Sequence, residues 1–167
     1  MYQSFDSLPS DARLWIYQAN RTFNPVEKEQ LFNGLKVLCE QWSAHGTPLR
    51  TSFTIQFDQF VIMAVDEKVN GASGCSIDGT VRYMKKFQDQ LGIDFFDRTL
   101  VAFLKEGKII THPITELRNL IESQVLSAET VTFNNTLTTK SEWEKHWRVP
   151  VKDFWLARYL PKTAVTG

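Results

Sequence analysis

The chain has 167 residues, 43% hydrophobic and 23% charged. That is long enough for one domain with its own core and short for two. Lysine plus arginine equals aspartate plus glutamate at 19 each, so the formal net charge is zero, which excludes a general electrostatic attraction to nucleic acid or anionic membrane.

Residues 1–10 read as a polar lead-in and 13–17 as a first strand. Asn24-Pro25-Val26-Glu27 marks a helix start, with Asn as cap, Pro at the first helical position and Glu at the third. Leu31, Leu35, Leu38 and Trp42 then fall at helical spacing, with Phe32 and Cys39 beside them, so Cys39 reads as core. Alternation of Phe53, Ile55 and Phe57 with Thr54 and Gln56 predicts a half-buried strand. A turn at Asp58-Gln59 leads into the unbroken apolar run 60–65, a buried strand, and the pair forms a hairpin.

The stretch 66–78 follows, with Asp66, Glu67, Gly71, Gly74, Cys75 and Ser76. Ser76 is placed as the cap of a second helix carrying Ile77, Val81, Met84 and Leu91, with Asp78 in its first turn and Gly92 at its end. Strands at 100–104 and 108–111 flank Glu106-Gly107 as a second hairpin. His112-Pro113 opens a third helix with Ile114, Leu117 and Ile121 on one face; 131–133 is a last strand. Ser141-Glu142-Trp143-Glu144 fits a capping box. An aromatic tail (Phe154, Trp155, Tyr159) packs back on the body.

The order is β-α-β-β-α-β-β-α with a C-terminal extension. It predicts an α+β fold, a mostly antiparallel sheet with helices packed on one face, whose first six elements follow a ferredoxin-like order. One domain spans 1–167, with flexible ends at 1–10 and 161–167. Cys39 and Cys75 form no CxxC and no disulfide framework, no apolar run reaches the roughly 20 residues of a membrane span, and the first residues lack a secretion signal. A reducing, cytoplasmic setting is expected.

Strand, glycine loop and helix start suit an anion, because free backbone N–H groups gather there. A thiol at that point can be held as the nucleophilic thiolate. The plainer reading is a tight glycine connection with Cys75 filling space. His45 lies in the loop before the hairpin and Cys75 in the loop after it. The hairpin returns the chain to where it began, bringing Asp66, Glu67 and the glycine loop towards His45. Cys75, His45 and Asp66 are therefore the candidate catalytic set, in the layout of thiol acyl transfer; bracing of loop backbone is the structural alternative for His45 and Asp66. Glu67, Gly74, Ser76 and Arg82 are the candidate ligand-binding residues, and Arg98 is a further cation able to grip a carboxylate or phosphate. Neither the three histidines nor the cysteines have metal-ligand spacing, and no P-loop, GxGxxG or GxSxG is present, so no metal or cofactor is expected.

Trp42 to Gly46 (W-x-x-H-G), Val65 to Glu67 (V-D-E) and Gly71 to Asp78 (G-A-S-G-C-S-I-D), with Phe96 to Arg98, Val101 to Phe103 and Trp155 to Arg158, resemble a small bacterial family of uncharacterised function. The similarity runs nearly end to end. Some members carry the name ABC transporter ATPase, which implies a Walker A loop; this sequence has none. The resemblance implies a soluble, bacterial, single-domain protein and carries over no catalytic residues. Two functions are then open. One is a pocket for a small anionic ligand around Cys75, extending to thiol chemistry. The other is a non-enzymatic interaction or structural module, a homodimer among its forms, using the aromatic C-terminal region or a sheet edge.

Overall fold

The run Phe60–Asp66 is apolar without interruption because both of its faces are covered. Alternate side chains of a strand point to opposite sides. Val61, Met63 and Val65 enter one core, with Tyr17, Phe53, Leu31, Leu35, Met84 and Phe87. Phe60, Ile62 and Ala64 enter another, with Leu14, Ala102, Phe133 and Trp147. In the computed structural model, which describes residues 1–44, 46–67 and 74–162, this strand is the centre of the molecule.

In chain order the elements are β1 (Arg13–Gln18), α1 (Pro25–Gln41), β2 (Ser43–Ala44), β3 (Thr47–Pro48), β4 (Arg50–Gln56), β5 (Phe60–Asp66), α2 (Gly74–Leu91), β6 (Leu100–Lys105), β7 (Lys108–Pro113), α3 (Leu117–Glu122), β8 (Val131–Phe133), α4 (Lys140–His146) and β9 (Arg148–Pro150), with short 3-10 turns between some of them. The fold is α+β with antiparallel sheets and a C-terminal extension. The ferredoxin-like order of elements is present, but the strands are shared between two sheets. β1, β5 and β4 form a three-stranded sheet in that order, and β7, β6, β8 and β9 form a four-stranded one. Helices α1 and α2 cover the outer face of the first sheet. The second sheet lies against its inner face. Phe103 on the far side of β6 packs on Leu117 and Ile121 of α3 and on Val151, Leu156 and Leu160 of the C-terminal extension. Helix, sheet, sheet and helix thus stack as layers, each sheet with helices on one side only.

The start of α1 is as the sequence predicts. The Asn24 side chain accepts from the Glu27 amide at 2.8 Å, the Glu27 carboxylate accepts from the Asn24 amide at 2.9 Å, and Pro25 stands first in the helix. Arg21 completes the arrangement with two bonds to the same carboxylate, at 2.8 and 2.7 Å. The guanidinium and the cap amide hold Glu27 well below the usual carboxylate range, at about 2.

Several boundaries differ from the sequence reading. The β4–β5 turn takes in Phe57, which with Asp58 has positive φ (53° and 52°). Left-handed backbone costs a non-glycine residue about 1–2 kcal/mol. Here it is offset by the Phe57 ring packing on Phe133 and Trp147 and by the Asp58 carbonyl accepting from Phe23. The third helix does not open at His112-Pro113: β7 runs through Pro113, which pairs with Leu100. An edge strand has no need of the missing proline N–H on its outer side. A 3-10 turn follows before α3. Helix α4 is capped by Thr139, two residues before Ser141, because the Ser141 amide is taken by the Ser10 carbonyl. The first ten residues are more than a polar lead-in. Tyr2 bridges Thr51 on the outer edge of β4, Leu8 is buried, and the buried Lys140 ammonium donates to the Leu8 carbonyl at 2.8 Å.

Two outcomes follow from this packing. A Cβ on Gly34 of α1 would lie 2.3 Å from the Phe87 ring of α2. Gly34→Ala is therefore expected to destabilise by about 1–3 kcal/mol through overpacking, against the ~1 kcal/mol gain that alanine brings to a helix; chemical denaturation checks the sign, and Phe87→Leu should relieve it. Glu27 is held below its ordinary value of 4.5, so its contribution is complete above pH 4.5 and is lost as pH falls towards 2. Glu27→Gln should lower stability at pH 7 by roughly 1–2 kcal/mol, and the loss should vanish in acid when melting is followed from pH 7 to 2.

Candidate functional site

β1 is an edge strand, paired with β5 on one side only. Backbone groups alternate in direction along a strand. The Leu14 amide donates outward to the Thr138 carbonyl at 2.8 Å and the Ala12 carbonyl accepts from Lys140 at 2.9 Å, while the Ala19 amide donates inward to Gln59. Residues 138–140 thus act as a short antiparallel partner for the beginning of β1. Beyond Leu14 the segment diverges. Among the described residues the outward amides of Ile16 and Gln18 and the outward carbonyls of Leu14 and Ile16 have no backbone partner.

A cavity of about 710 Å³ runs along this edge, between the two sheets. That volume is in the range of small-ligand sites. One wall is β1. The others come from residues 95–98 after α2, the start of β6, residues 133–138 and the aromatic pair Phe154 and Trp155. The floor is tied together by amides. Trp147 Nε1 donates to Asn135 Oδ1 at 2.9 Å, Asn135 Nδ2 donates to Gln18 Oε1 at 3.0 Å, and Gln18 Nε2 donates to the Leu100 carbonyl at 3.2 Å. The two Gln18 bonds tie β1 to the second sheet and its loop, and the Trp147 bond fixes Asn135 within that loop.

The mouth carries aromatic rings and charge. Tyr17 meets Phe96 edge-on at 5.9 Å, and Trp155 is 42% exposed. Burial pushes the Tyr17 phenol up, keeping it neutral. The Arg13 guanidinium lies 5.3 Å from the Trp15 ring and 3.3 Å from Glu67. The Asp97 carboxylate accepts from the Thr99 hydroxyl and amide at 2.6 and 2.9 Å, both at Oδ1, which lowers its pKa. Arg98 is exposed and has no ion pair among the described residues.

The residues singled out in the sequence lie partly elsewhere. The register pairs Arg50 with Asp66, so the connection into β4 and the connection out of β5 leave the same end of the sheet. His45, the loop 68–73 and the side chains of Gly74, Cys75 and Ser76 lie outside the described residues. Helix α2 begins at Gly74, so Ser76 is inside its first turn and does not cap it, and Asp78 falls beyond that turn. The helix already winds through Gly74 and Cys75, two residues ahead of the expected cap. Asp66 is buried and meets Arg50 at 3.3 Å, while Glu67 meets Arg13. Arg82 is exposed on α2, away from the cleft lining. Among the described residues no three His, Cys, Asp or Glu side chains are grouped to hold a metal. No described helix is long and apolar enough to cross a membrane.

The cleft itself is absent from the sequence reading, although Arg98, Phe154 and Trp155 were each legible as candidates. Their convergence with β1 depends on the second sheet folding under the first. No family model, curated protein or solved structure matches this chain.

Cys39 is fully buried in the α1 core, and burial pushes its thiol up to about 11. In a Cys75→Ser variant, the remaining thiol should therefore label with Ellman's reagent only as fast as the fold opens, at least ~100-fold slower than a free thiol; stopped-flow absorbance with and without denaturant measures this.

Proposed function

We propose that this protein binds a small molecule that is partly apolar and carries a carboxylate or similar anion, in the cleft between its two sheets. The observation that carries the reading is the cleft of about 710 Å³ with exposed Trp155 and the Arg98 guanidinium, which has no ion pair among the described residues, at its mouth. A pocket with apolar walls and few convergent polar groups is the usual form of a ligand site. The aromatic walls supply burial, and a guanidinium gives a carboxylate two parallel hydrogen bonds. In this reading the C-terminal extension contributes Phe154 and Trp155 to binding as well as covering β6.

A second reading keeps the anion site at the junction around Cys75, with His45, Asp66, Glu67, Gly74, Ser76 and Arg82. The common exit of the two connections beside Asp66 favours it. The ion pairs of Asp66 with Arg50 and of Glu67 with Arg13 weigh against both carboxylates being available there. The cysteine usage and the family resemblance support a bacterial cytoplasmic setting.

Titration with benzoate, phenylbutyrate and indole-propionate, followed by tryptophan emission, tests the first reading. At least one should give a saturable change that weakens about 10-fold in Arg98→Gln, the cost of one charge-assisted contact. No saturable response from any of the three would overturn it. A response that persists in Arg98→Gln and disappears in Cys75→Ser would favour the second.

A further inference from the structure

We propose that the natural occupant of the cleft is an extended peptide that carries a carboxylate and adds itself to β1 as a further strand; this rests on the binding reading above and names its ligand class. Three observations carry it. First, the edge already accepts a strand, since residues 138–140 pair antiparallel with Ala12 and Leu14. Second, the pairing stops part-way, while the Leu14 and Ile16 carbonyls and the Ile16 and Gln18 amides continue along the cavity without a backbone partner among the described residues. From Leu14 to Gln18 the edge runs about 13 Å, which matches roughly four residues of an added strand. Third, the Gln18 end of β1 is the Arg98 end of the cleft: Gln18 bonds to Leu100 and Tyr17 meets Phe96, the residues on either side of Arg98.

The alternation of β1 gives such a ligand two pockets. Arg13, Trp15 and Tyr17 project on the helix side and Leu14 and Ile16 towards the second sheet, and all five line the cavity. Main-chain bonds to the edge supply affinity and the alternate pockets supply selectivity. Arg98 supplies charge complementarity to the carboxylate. Asp97 brings a negative charge beside Arg98, and its Oδ1 is turned to the Thr99 hydroxyl and amide, two donors that partly offset that charge. An isolated small acid would use Arg98 and the rings but leave the donors and acceptors of Ile16 and Gln18 unused.

Amide hydrogen exchange on the intact chain tests the edge without any ligand. Ile16 and Gln18 should exchange on the order of 100-fold faster than Trp15 and Tyr17, which face β5. Slow exchange at Ile16 overturns the proposal. A pool of acetylated tetrapeptides, with Val, Ile or Thr at the first three positions and Asp at the fourth, should then slow exchange at Ile16 and Gln18. Within a peptide recovered from the pool, N-methylation of one of two successive central amides should abolish the protection and methylation of the other should not, because only alternate amides face β1. Arg98→Gln should weaken binding about 10-fold. If the aromatic acids bind and the peptide pool does not, the peptide assignment fails while the cleft remains a small-molecule site; if neither binds, both readings fail. A concentration-dependent dimer whose Ile16 and Gln18 amides are protected would assign the edge to a second copy of the chain and overturn the proposal.

Discussion

The structure depends on β5 being buried on both faces. A strand covered on one side needs apolar residues only at every second position, and the other positions can meet water. From Phe60 to Val65 every residue is fully buried, so something must cover each face. The helices α1 and α2 cover one, and the second sheet covers the other. Burying a large apolar side chain contributes about 1.5–3 kcal/mol relative to exposure, so the five in this run, with Ala64 among them, set the layering of the whole chain. Phe60, Phe133 and Trp147 meet within 5.0 Å of one another at the joint between the sheets.

The same constraint produces the cleft. Two twisted sheets packed face to face do not stay in contact along their full width. Contact is close at β5 and opens at β1, the edge where residues 95–98 and 133–138 pass between the sheets. The hydrogen-bond chain through Gln18, Asn135 and Trp147 holds this opening at a fixed width. Its two Gln18 bonds link groups far apart in sequence, so the cleft exists only when both sheets have formed. The opposite edge of the first sheet is handled alike. Along β4 the Gln3 amide donates to Thr51 and the Thr51 amide to Met1, so the start of the chain covers that edge at one end. An exposed edge is a hazard that proteins usually cover, and each edge of this sheet is covered at one end by a distant segment, β4 by residues 1–3 and β1 by residues 138–140.

Local chemistry was legible where it involves neighbours in sequence. The Asn24–Glu27 cap, the Glu106-Gly107 hairpin turn, the β4–β5 hairpin and the burial of Cys39 all follow from short-range rules. What went astray was decided at longer range. Phe57 reads as the last residue of a strand, yet takes left-handed backbone because its ring is drawn into the Phe133 and Trp147 cluster. Ser141 has the right spacing for a cap, yet Thr139 caps because residues 10 and 12 take the amides that follow it. Arg21, which clamps Glu27 from outside the helix, has no signature of its own in the sequence.

For function the division is similar. The sequence by itself determined which residue types are at hand: an α+β chain of zero net charge, a buried strand, a glycine loop with Cys75, and an aromatic C-terminal region with Arg98 upstream. It also implied that the connections flanking the β4–β5 hairpin leave from one end, since a hairpin returns its chain to the start. Tertiary structure alone decided that the fourth strand of the order leaves the first sheet for a second one, and that Arg98, Phe154 and Trp155 meet the free side of β1. The reason is physical. Alternation and capping are read within a few residues, whereas the partner of a strand edge is chosen by which distant surfaces bury the most apolar area, and that choice leaves no local mark.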